Sequence, residues 1–300
     1  MLTRRSVLRS VPALAVASSV WPQAAKPSIR LRSLASVTLA VSDLKRSVEF
    51  YQGLFGIPVQ FRQADSVGLR VGSGPQHIRL VQGAKPQIQS FSMSVEKFGR
   101  ASIAATLAAH GVAHDELFLA DPDGTRVQLH DARYCGGSAC AAVEKAPSKG
   151  LLPLRDLSHV TVYVRNGLAS LAFYQQVFAM PVLSRQGANG IGLAVGSHRQ
   201  FVFLSSAGRT PQINHCCLTM PGFKLEAVFQ KLAGFGLKPR PSADAPVGPL
   251  MYYISLRMPD RGGAPGGTPE LYFTDPDGLV IQLQDPSYCG GSGVLGDVCG

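Results

Sequence analysis

The feature that most constrains this chain is an internal repeat, because a set of landmarks occurs twice in the same order. They are an alternating strand pattern leading into a helix that ends in Phe-Tyr, a Pro-Gln-Ile tripeptide, an Asp-Pro-Asp-Gly turn, and a strand with a central glutamine. The matched segments are 36–51 with 159–174, 86–90 with 211–215, 121–124 with 275–278, and 127–129 with 281–283. A duplication of this extent predicts two similar domains.

The domain boundaries follow from the repeat and from a change in composition between its copies. A chain of 300 residues is long enough for each copy to bury its own core. Residues 141–150 contain Lys, Pro, Ser and Gly, a composition typical of a linker. We therefore predict an N-terminal module at 31–140, a linker at 141–150 and a C-terminal module at 151–300.

Within each copy the hydrophobic pattern changes from strand-like alternation to a helical period and back again. The residues expected on the inner faces of the two first helices are Leu44, Val48, Tyr51, Leu168, Leu171 and Tyr174. A second helix is predicted at 98–110 in the first copy and at 223–234 in the second. Each copy is thus a doubled strand–helix–strands unit, which predicts an α+β fold with curved sheets backed by helices.

The first 30 residues have the pattern of an export signal. Arg4 and Arg5 lie in a Thr-Arg-Arg-Ser-Val-Leu-Arg segment that resembles the twin-arginine motif, followed by an apolar run at 11–20 and small-residue cleavage candidates at 15–17 and 23–25. The apolar run is too short to span a bilayer, which needs about 20 residues. We predict a periplasmic or extracytoplasmic protein without stable membrane insertion after processing; a short anchor or a disordered basic tail is the alternative.

Composition limits the class of protein and its partners. A hydrophobic content of 45% and a charged content of 16% exclude a disordered chain and a multispan membrane protein. The net charge of +10 comes from scattered basic residues without a basic helix, so no nucleic-acid partner is predicted. The expected partner is a small-molecule substrate, and assembly into a homo-oligomer is left open.

Cysteine usage agrees with an oxidising destination. Four cysteines lie in two equivalent Tyr-Cys-Gly-Gly tails, and they are Cys135, Cys140, Cys289 and Cys299. Each tail could close its own disulfide loop, the two tails could be bridged to each other, or the thiols could be free. The adjacent Cys216 and Cys217 point to opposite faces of a strand and are interpreted as packing residues.

Together these landmarks resemble the vicinal-oxygen-chelate superfamily of glyoxalases, bleomycin-resistance proteins and extradiol dioxygenases. The motifs that carry the resemblance are the His-Val-Thr-Val-x-Val strand, the Phe-Tyr helix end and the late Asp-Pro-Asp-Gly turn, and it covers nearly all of residues 33–285. It implies that each module is a pair of βαβββ units forming a curved mixed sheet. It also implies a divalent-metal site built from three strands of a module.

The resemblance assigns the metal ligands by position. In the second module they are His159, His215 and Gln282, and in the first the same positions hold Ser36, Ser90 and Gln128. Serine is a poor neutral ligand, so the first module is expected to be metal-free. The family usually has glutamate where Gln282 stands, and an amide binds hard cations less well than a carboxylate. Glu270, on a neighbouring strand, is the alternative third ligand.

The second module also resembles the extradiol-dioxygenase signature in the segment 271–282. There the resemblance gives Tyr272 the role of binding a substrate oxygen at the metal, and the first module has Phe118 instead. Two departures stand out. The histidine of the signature is absent from 263–265, and no carboxylate occurs at 200–203, where a glyoxalase would take its fourth ligand.

The resulting prediction is an exported metal-dependent enzyme, dioxygenase-like, in which His159, His215 and Gln282 hold Fe(II) or Mn(II), with Zn or Ni as alternatives. Its substrate would chelate the metal through vicinal oxygens. Two alternatives stay open: a non-catalytic small-molecule-binding protein of the resistance type, and a glyoxalase-type lyase or isomerase. The insertion at 239–267 either covers the cavity or is a surface excursion.

Overall fold

The computed structural model describes residues 28–136, 144–197 and 199–299. The predicted signal segment lies outside the described residues except for its last three positions, and Cys140 lies outside them as well. Among the described residues, no helix is long and apolar enough to cross a membrane.

The first module is an eight-stranded mixed sheet with two helices. Its elements are β1 (Leu31–Val41), α1 (Leu44–Phe55), β2 (Val59–Gln63), β3 (Ser66–Arg70), β4 (His77–Gln82), β5 (Gln87–Val95), α2 (Arg100–Ala109), β6 (His114–Asp115), β7 (Phe118–Ala120) and β8 (Arg126–Asp131). The strand order is β2-β3-β4-β1-β5-β8-β7-β6. Strand β1 is parallel to β4, β5 is parallel to β8, and β1 and β5 join the two halves antiparallel. These are two βαβββ units.

The second module repeats this plan with one additional strand. Its elements are β9 (Asp156–Tyr163), α3 (Gly167–Phe178), β10 (Val182–Gln186), β11 (Gly190–Ala194), β12 (Phe201–Ser205), β13 (Gln212–Thr219), α4 (Leu225–Gly234), β14 (Lys238–Pro239), β15 (Met251–Arg257), a 3-10 turn (Pro259–Arg261), β16 (Thr268–Thr274) and β17 (Val280–Gln284). The strand order is β10-β11-β12-β9-β13-β17-β16-β15-β14. The α+β fold of two tandem modules is therefore confirmed.

Local sequence explains where the long helices begin and end. The side chain of Asp43 accepts a hydrogen bond from the backbone N–H of Arg46 at the start of α1, and Asn166 caps α3 in the same way. The prediction for Leu168 was wrong, since its side chain is 73% exposed. Leu168 lies about 120° around the helix from the buried Tyr174, so it faces away from the sheet.

The two modules share one continuous hydrophobic core, and two equivalent hydrogen bonds join them. The hydroxyl of Tyr51 on α1 donates to Asp275 in the second module, and the hydroxyl of Tyr174 on α3 donates to Asp121 in the first, both at 3.2 Å. Both acceptors are the first aspartates of the Asp-Pro-Asp-Gly turns. The helix end and the turn are therefore repeated together because they meet across the interface.

Two equivalent glycines allow the backbones of the modules to approach closely. Gly72 and Gly196 have φ values of +65° and +68°. A Cβ at Gly72 would lie 1.8 Å from the carbonyl oxygen of Arg155, and one at Gly196 would lie 1.9 Å from that of Arg32. No side chain fits at either position, which accounts for glycine in both copies.

The described part of the connection between the modules is docked onto the first module. Glu144 forms a β-bridge with Val59, and its carboxylate accepts two hydrogen bonds from Arg62.

Cys289 and Cys299 in the C-terminal tail form a disulfide. This tail therefore closes its own loop, which is one of the pairings that the sequence left open. Cys135 is also disulfide-bonded, while Cys216 and Cys217 are buried free thiols.

Candidate functional site

A cavity of about 530 Å³ lies on one face of the second sheet, and it is lined by every residue of the second module to which the sequence assigns a chemical role. Its lining includes the predicted ligands His159, His215 and Gln282, the alternative ligand Glu270, and Tyr272. The insertion at 239–267 contributes to the walls, and its lining members are Arg240, Ala243, Val247, Tyr253, Ser255 and Arg261. Of the two readings of this insertion, the structure therefore favours the one in which it encloses the cavity.

Three neighbouring strands, β9, β13 and β17, carry the predicted ligands. Cys217 on β13 is paired with His159 on one side and with Gln282 on the other, while His215 is paired with Thr161. Because directly opposed residues and residues two apart on a strand share a face, all of these side chains lie on the same face of the sheet. The alternation read from the sequence therefore brings the imidazoles and the amide together.

The contacts of His215 are unusual for a neutral ring. Its Nδ1 lies 2.7 Å from Oδ1 of Asn214, and its Nε2 lies 3.0 Å from Oε1 of Gln282 and 3.0 Å from the hydroxyl of Thr161. Burial lowers the pKa of His215 to about 4, so the ring carries a single N–H at neutral pH. The ring nitrogen without a proton therefore presents its lone pair either to Asn214 or to Gln282 and Thr161.

The second histidine packs against two aromatic rings. His159 stacks on Phe201 with a ring-centroid distance of 4.3 Å, and the ring of Tyr288 lies 5.5 Å away on a nearly parallel plane. The centroid of His215 is also 5.5 Å from that of His159. Burial, followed by the proximity of His215, lowers the pKa of His159 well below its usual value. Both imidazoles are thus neutral, which is the form that binds metals.

Glu270 is engaged elsewhere in a buried network. Its Oε1 accepts hydrogen bonds from Nε of Arg257 and from the hydroxyl of Tyr288, both at 2.8 Å, and its Oε2 accepts from the hydroxyl of Tyr272 at 3.1 Å. The side chain of Arg257 is only 2% exposed. Glu270 therefore serves as the counter-ion of a buried arginine, which leaves Gln282 as the better-placed third donor.

Tyr272 belongs to an aromatic wall of the cavity. Its ring lies edge-on to His215 at 5.2 Å and stacks on Tyr253 at 5.2 Å, with an interplanar angle of 18°. Burial, followed by the charge of Glu270, raises the pKa of Tyr272 well above its usual value. The hydroxyl is therefore protonated at neutral pH and can act as a hydrogen-bond donor.

Sequence reasoning missed Arg257, Tyr288 and Phe201. A signal for Tyr288 was present, because it opens the second of the two Tyr-Cys-Gly-Gly tails and its counterpart Tyr134 also stacks on a histidine, His130. Arg257 had no comparable signal, since it lies in the insertion without a counterpart in the first module.

The positions equivalent to the predicted ligands hold Ser36, Ser90 and Gln128 in the first module. Strand pairing places Ser36 opposite Ser92 and Ser92 opposite Gln128, so the positions match those of the second module. The hydroxyls of Ser36 and Ser92 bond to each other at 2.6 Å. Across the described parts of both modules, no three His, Cys, Asp or Glu side chains cluster as a metal-binding group. A metal held by the two histidines would therefore need a donor of another type, such as the amide of Gln282.

Two of the three predicted donors in the second module are spaced as metal ligands would be. Two ligand atoms, each about 2.1 Å from a cation and at right angles, are about 3.0 Å apart, which is the distance between Nε2 of His215 and Oε1 of Gln282. The Nε2 of Gln282 is buried without a hydrogen-bond partner among the described residues. No hydrogen bond from this nitrogen therefore fixes the orientation of the amide group. Asn214 orients His215 as an outer partner commonly orients a metal-binding imidazole.

Comparison with known proteins supports the fold. No protein-family model and no curated protein sequence matches this chain. Among solved structures, an extradiol ring-cleaving dioxygenase from B. fuscum superposes with a TM-score of 0.64 at 15% identity, covering 88% of this chain and 75% of that chain. The 2,3-dioxygenase LapB from Pseudomonas sp. KL28 gives 0.62 at 16% identity, covering 86% and 93%.

A third structure, the Mn(II)-bound glyoxalase from Novosphingobium aromaticivorans, superposes with a TM-score of 0.61 at 16% identity, covering 85% of this chain and 82% of that chain. Glyoxalases and extradiol dioxygenases share the vicinal-oxygen-chelate fold. The resemblance recognised in the sequence is thus confirmed for the fold of the 85–88% of the chain that these structures cover.

Proposed function

We propose that this protein is a metal-dependent enzyme of the extradiol-dioxygenase-like type, in which His159, His215 and Gln282 hold Fe(II) or Mn(II). The observation that carries the proposal is the contact between Nε2 of His215 and Oε1 of Gln282 at 3.0 Å. When Nδ1 of His215 donates to Asn214, Nε2 presents its lone pair beside the amide of Gln282, so an imidazole nitrogen and an amide oxygen are close enough to bind one cation together.

Three protein donors would leave positions open for a substrate with two neighbouring oxygens. The metal would supply Lewis acidity and a redox centre to a substrate chelated in this way. Tyr272 would donate a hydrogen bond to one substrate oxygen, for which its hydroxyl must exchange the carboxylate of Glu270 for the substrate. Arg257 and Tyr288 would keep Glu270 in place during that exchange.

The dioxygenase-like reaction is preferred to a glyoxalase-type one because of strand β12. A glyoxalase would need a carboxylate on this strand, and here Phe201 stacks on His159 instead. The structural likeness to a Mn(II)-bound glyoxalase supports the metal but does not distinguish the reactions. Activity without oxygen consumption would favour the lyase or isomerase.

Export through the twin-arginine route is part of the proposal. The disulfide between Cys289 and Cys299 is typical of an oxidising compartment such as the periplasm. That route carries folded proteins, so the metal could be bound before export. Fusion of residues 1–30 to a reporter, with Arg4 and Arg5 replaced by Lys in the control, tests the location.

Metal analysis of protein purified without oxygen tests the central claim. We expect close to one equivalent of Fe or Mn, and a loss of at least tenfold in His159→Ala and His215→Ala. The matched controls are Ser36→Ala and Ser90→Ala, which change the same positions of the first module. A metal content below about a tenth of an equivalent that is unaffected by His159→Ala would contradict the proposal. An oxygen-electrode screen over catechols then tests the reaction.

A second candidate function, metal-independent binding of a small molecule, is favoured by the absence of a free carboxylate at the site. Only Glu270 among the lining residues is acidic, and it is paired with Arg257. This function predicts that a ligand raises the melting temperature equally with and without a chelator, and that no turnover accompanies binding.

A further inference from the structure

The outer part of the cavity carries positive charge that no carboxylate neutralises. Arg209, Arg240 and Arg261 line it together with the predicted ligands. Among the described residues, none of these arginines forms an ion pair, whereas Arg257 behind the cavity is paired with Glu270. Because the acidic lining residue Glu270 is paired with Arg257, the three arginines leave the lining with a net positive charge.

Two of these guanidinium groups lie over tyrosine rings that line the cavity. Arg240 lies over Tyr253 and Arg209 lies over Tyr163, each with its Cζ 5.3 Å from the ring centroid. A guanidinium stacked on a ring keeps its in-plane N–H groups available, and these match the two oxygens of a carboxylate. Nε and Nη2 of Arg240 donate to the carbonyl oxygen of Ala245, which fixes the direction of the remaining donors.

The aromatic wall connects these cations to the candidate metal site. Tyr253 stacks on Tyr272, and Tyr272 contacts His215. A flat ligand lying along this wall would have its inner end at the imidazoles and its outer end near Arg240. On β9, which is separated from β16 by β13 and β17 in the same sheet, Tyr163 lies four residues from His159 on the same face, so Arg209 is placed near the same outer end.

We infer that the substrate is an aromatic vicinal diol that carries a carboxylate, received by Arg240 and Arg209 at the outer end of the cavity. This inference rests on the proposed function for the diol, but its anionic part stands on the arginines alone. A bidentate pair with an ionised carboxylate is stronger than a neutral contact of the same shape. The charge would also raise the rate of capture at low salt.

Binding measurements with matched acids and esters test the inference. The probes are protocatechuate and the longer caffeate, each compared with its methyl ester, at about pH 7.5 by titration calorimetry. Protein is used both free of metal and loaded with Mn(II). Of the two acids, we expect the one that binds more tightly to have at least tenfold higher affinity than its own methyl ester. Added salt should reduce this ratio of acid to ester affinity.

Variants assign the preference to the arginines. In the double variant Arg209→Gln with Arg240→Gln, the ratio of acid to ester affinity should fall to about one. The control is Arg126→Gln, because Arg126 lies over the ring of Phe118 at 4.7 Å on the first module, outside this cavity. The control should keep the full ratio.

The outcomes separate this inference from the proposed function. An acid preference that is unchanged by a chelator and lost in the double variant supports the inference even if the metal proposal fails. Mn(II)-dependent binding with equal affinity for acid and ester overturns the inference and leaves the metal proposal standing. A preference that survives in the double variant, or no binding of either acid, also overturns it.

Discussion

At the scale of single residues, Gln282 is the side chain on which the proposed chemistry depends most. It lies 3.0 Å from the imidazole of His215, in a site whose only acidic lining residue is already paired with an arginine. An amide oxygen donates to a metal without reducing its charge, so the metal should be bound less tightly than by a glutamate at this position and should remain more positive. Such a metal would polarise a chelating substrate more strongly.

Replacing Gln282 by glutamate should increase the affinity for Mn(II) by at least tenfold, because the carboxylate adds Coulomb attraction to a site with two neutral imidazoles. Equilibrium dialysis against Mn(II) measures the change. Gln128→Glu is the matched control, since Gln128 occupies the same strand position of the first module, and it should bind no additional metal. Equal Mn(II) affinity in Gln282→Glu and the unmodified protein would count against Gln282 as a ligand.

At another pair of corresponding positions, one module has a residue that can be protonated and the other has a residue that cannot. His77 lies opposite Ser36 on β4, and the matching residue of the second module, opposite His159, is Phe201. Burial lowers the pKa of His77 to about 4. The unfolded chain takes up this proton near pH 6.5, whereas the folded chain does so only near pH 4, so acidification in this window favours unfolding.

His77→Phe should therefore lose less stability than the unmodified protein between about pH 6.5 and pH 4, by on the order of 3 kcal/mol at the acidic end. Urea denaturation over this range, where folding is reversible, provides the measurement. Ile78→Val removes a buried methyl group from the same strand without a titrating group, and it should lower stability equally at every pH. If His77→Phe and the unmodified protein show the same pH dependence, the buried neutral state of His77 is refuted.

At the scale of elements, the disulfide-closed tail supports the back of the cavity. The carbonyl oxygen of Gly291 accepts from Nη1 of Arg257 at 3.0 Å, and that of Gly293 accepts from the hydroxyl of Thr268 at 2.7 Å. Tyr288, which contacts both His159 and Glu270, immediately precedes the disulfide. The tail is therefore part of the site and does not simply end the chain.

The double variant Cys289→Ser with Cys299→Ser should lower the free energy of unfolding by about 3 kcal/mol, as expected for a loop with a separation of 10 residues. It should also expose the tail to limited proteolysis under native conditions, because the contacts of Gly291 and Gly293 are then held only by hydrogen bonds. Chemical denaturation and mass spectrometry of the fragments measure both effects. A tail as resistant as that of the unmodified protein would show that its packing does not need the disulfide.

At the scale of the whole molecule, the modules behave as one body because their repeated motifs bind each other. Asp277, in the turn of the second module, accepts hydrogen bonds from the backbone N–H and hydroxyl of Ser42 and from Arg46. Its counterpart Asp123 accepts from the backbone N–H of Arg165. With a shared core, these contacts predict a single unfolding transition.

Asp277→Ala should lower the free energy of unfolding by about 2 kcal/mol, because three hydrogen bonds to a carboxylate are lost at the interface. Calorimetry should show an unfolding transition at a lower temperature and over a broader temperature range. Asp131→Ala removes a carboxylate that pairs with Arg133 at the surface and should cost less than about 1 kcal/mol. Equal effects of the two substitutions would contradict a role of the turn in joining the modules.

The sequence by itself determined the duplication, the α+β class, the strand-and-helix order and the strand faces that carry His159, His215 and Gln282. Periodicity and repeats are properties of neighbouring residues, so they can be read along a chain. The roles of these residues as metal ligands, and of Tyr272, stay predictions.

Only the tertiary structure decided the contacts between distant residues. The pairing of Glu270 with Arg257 and Tyr288, the stacking of Phe201 on His159, and the arginines around the outer cavity had no linear signal. The insertion at 239–267 forms part of the cavity wall because strand β15 pairs with β16, and the sequence alone left this role open. Burial then set the protonation of both imidazoles, because desolvation depends on what surrounds a side chain in space and not on its neighbours in sequence.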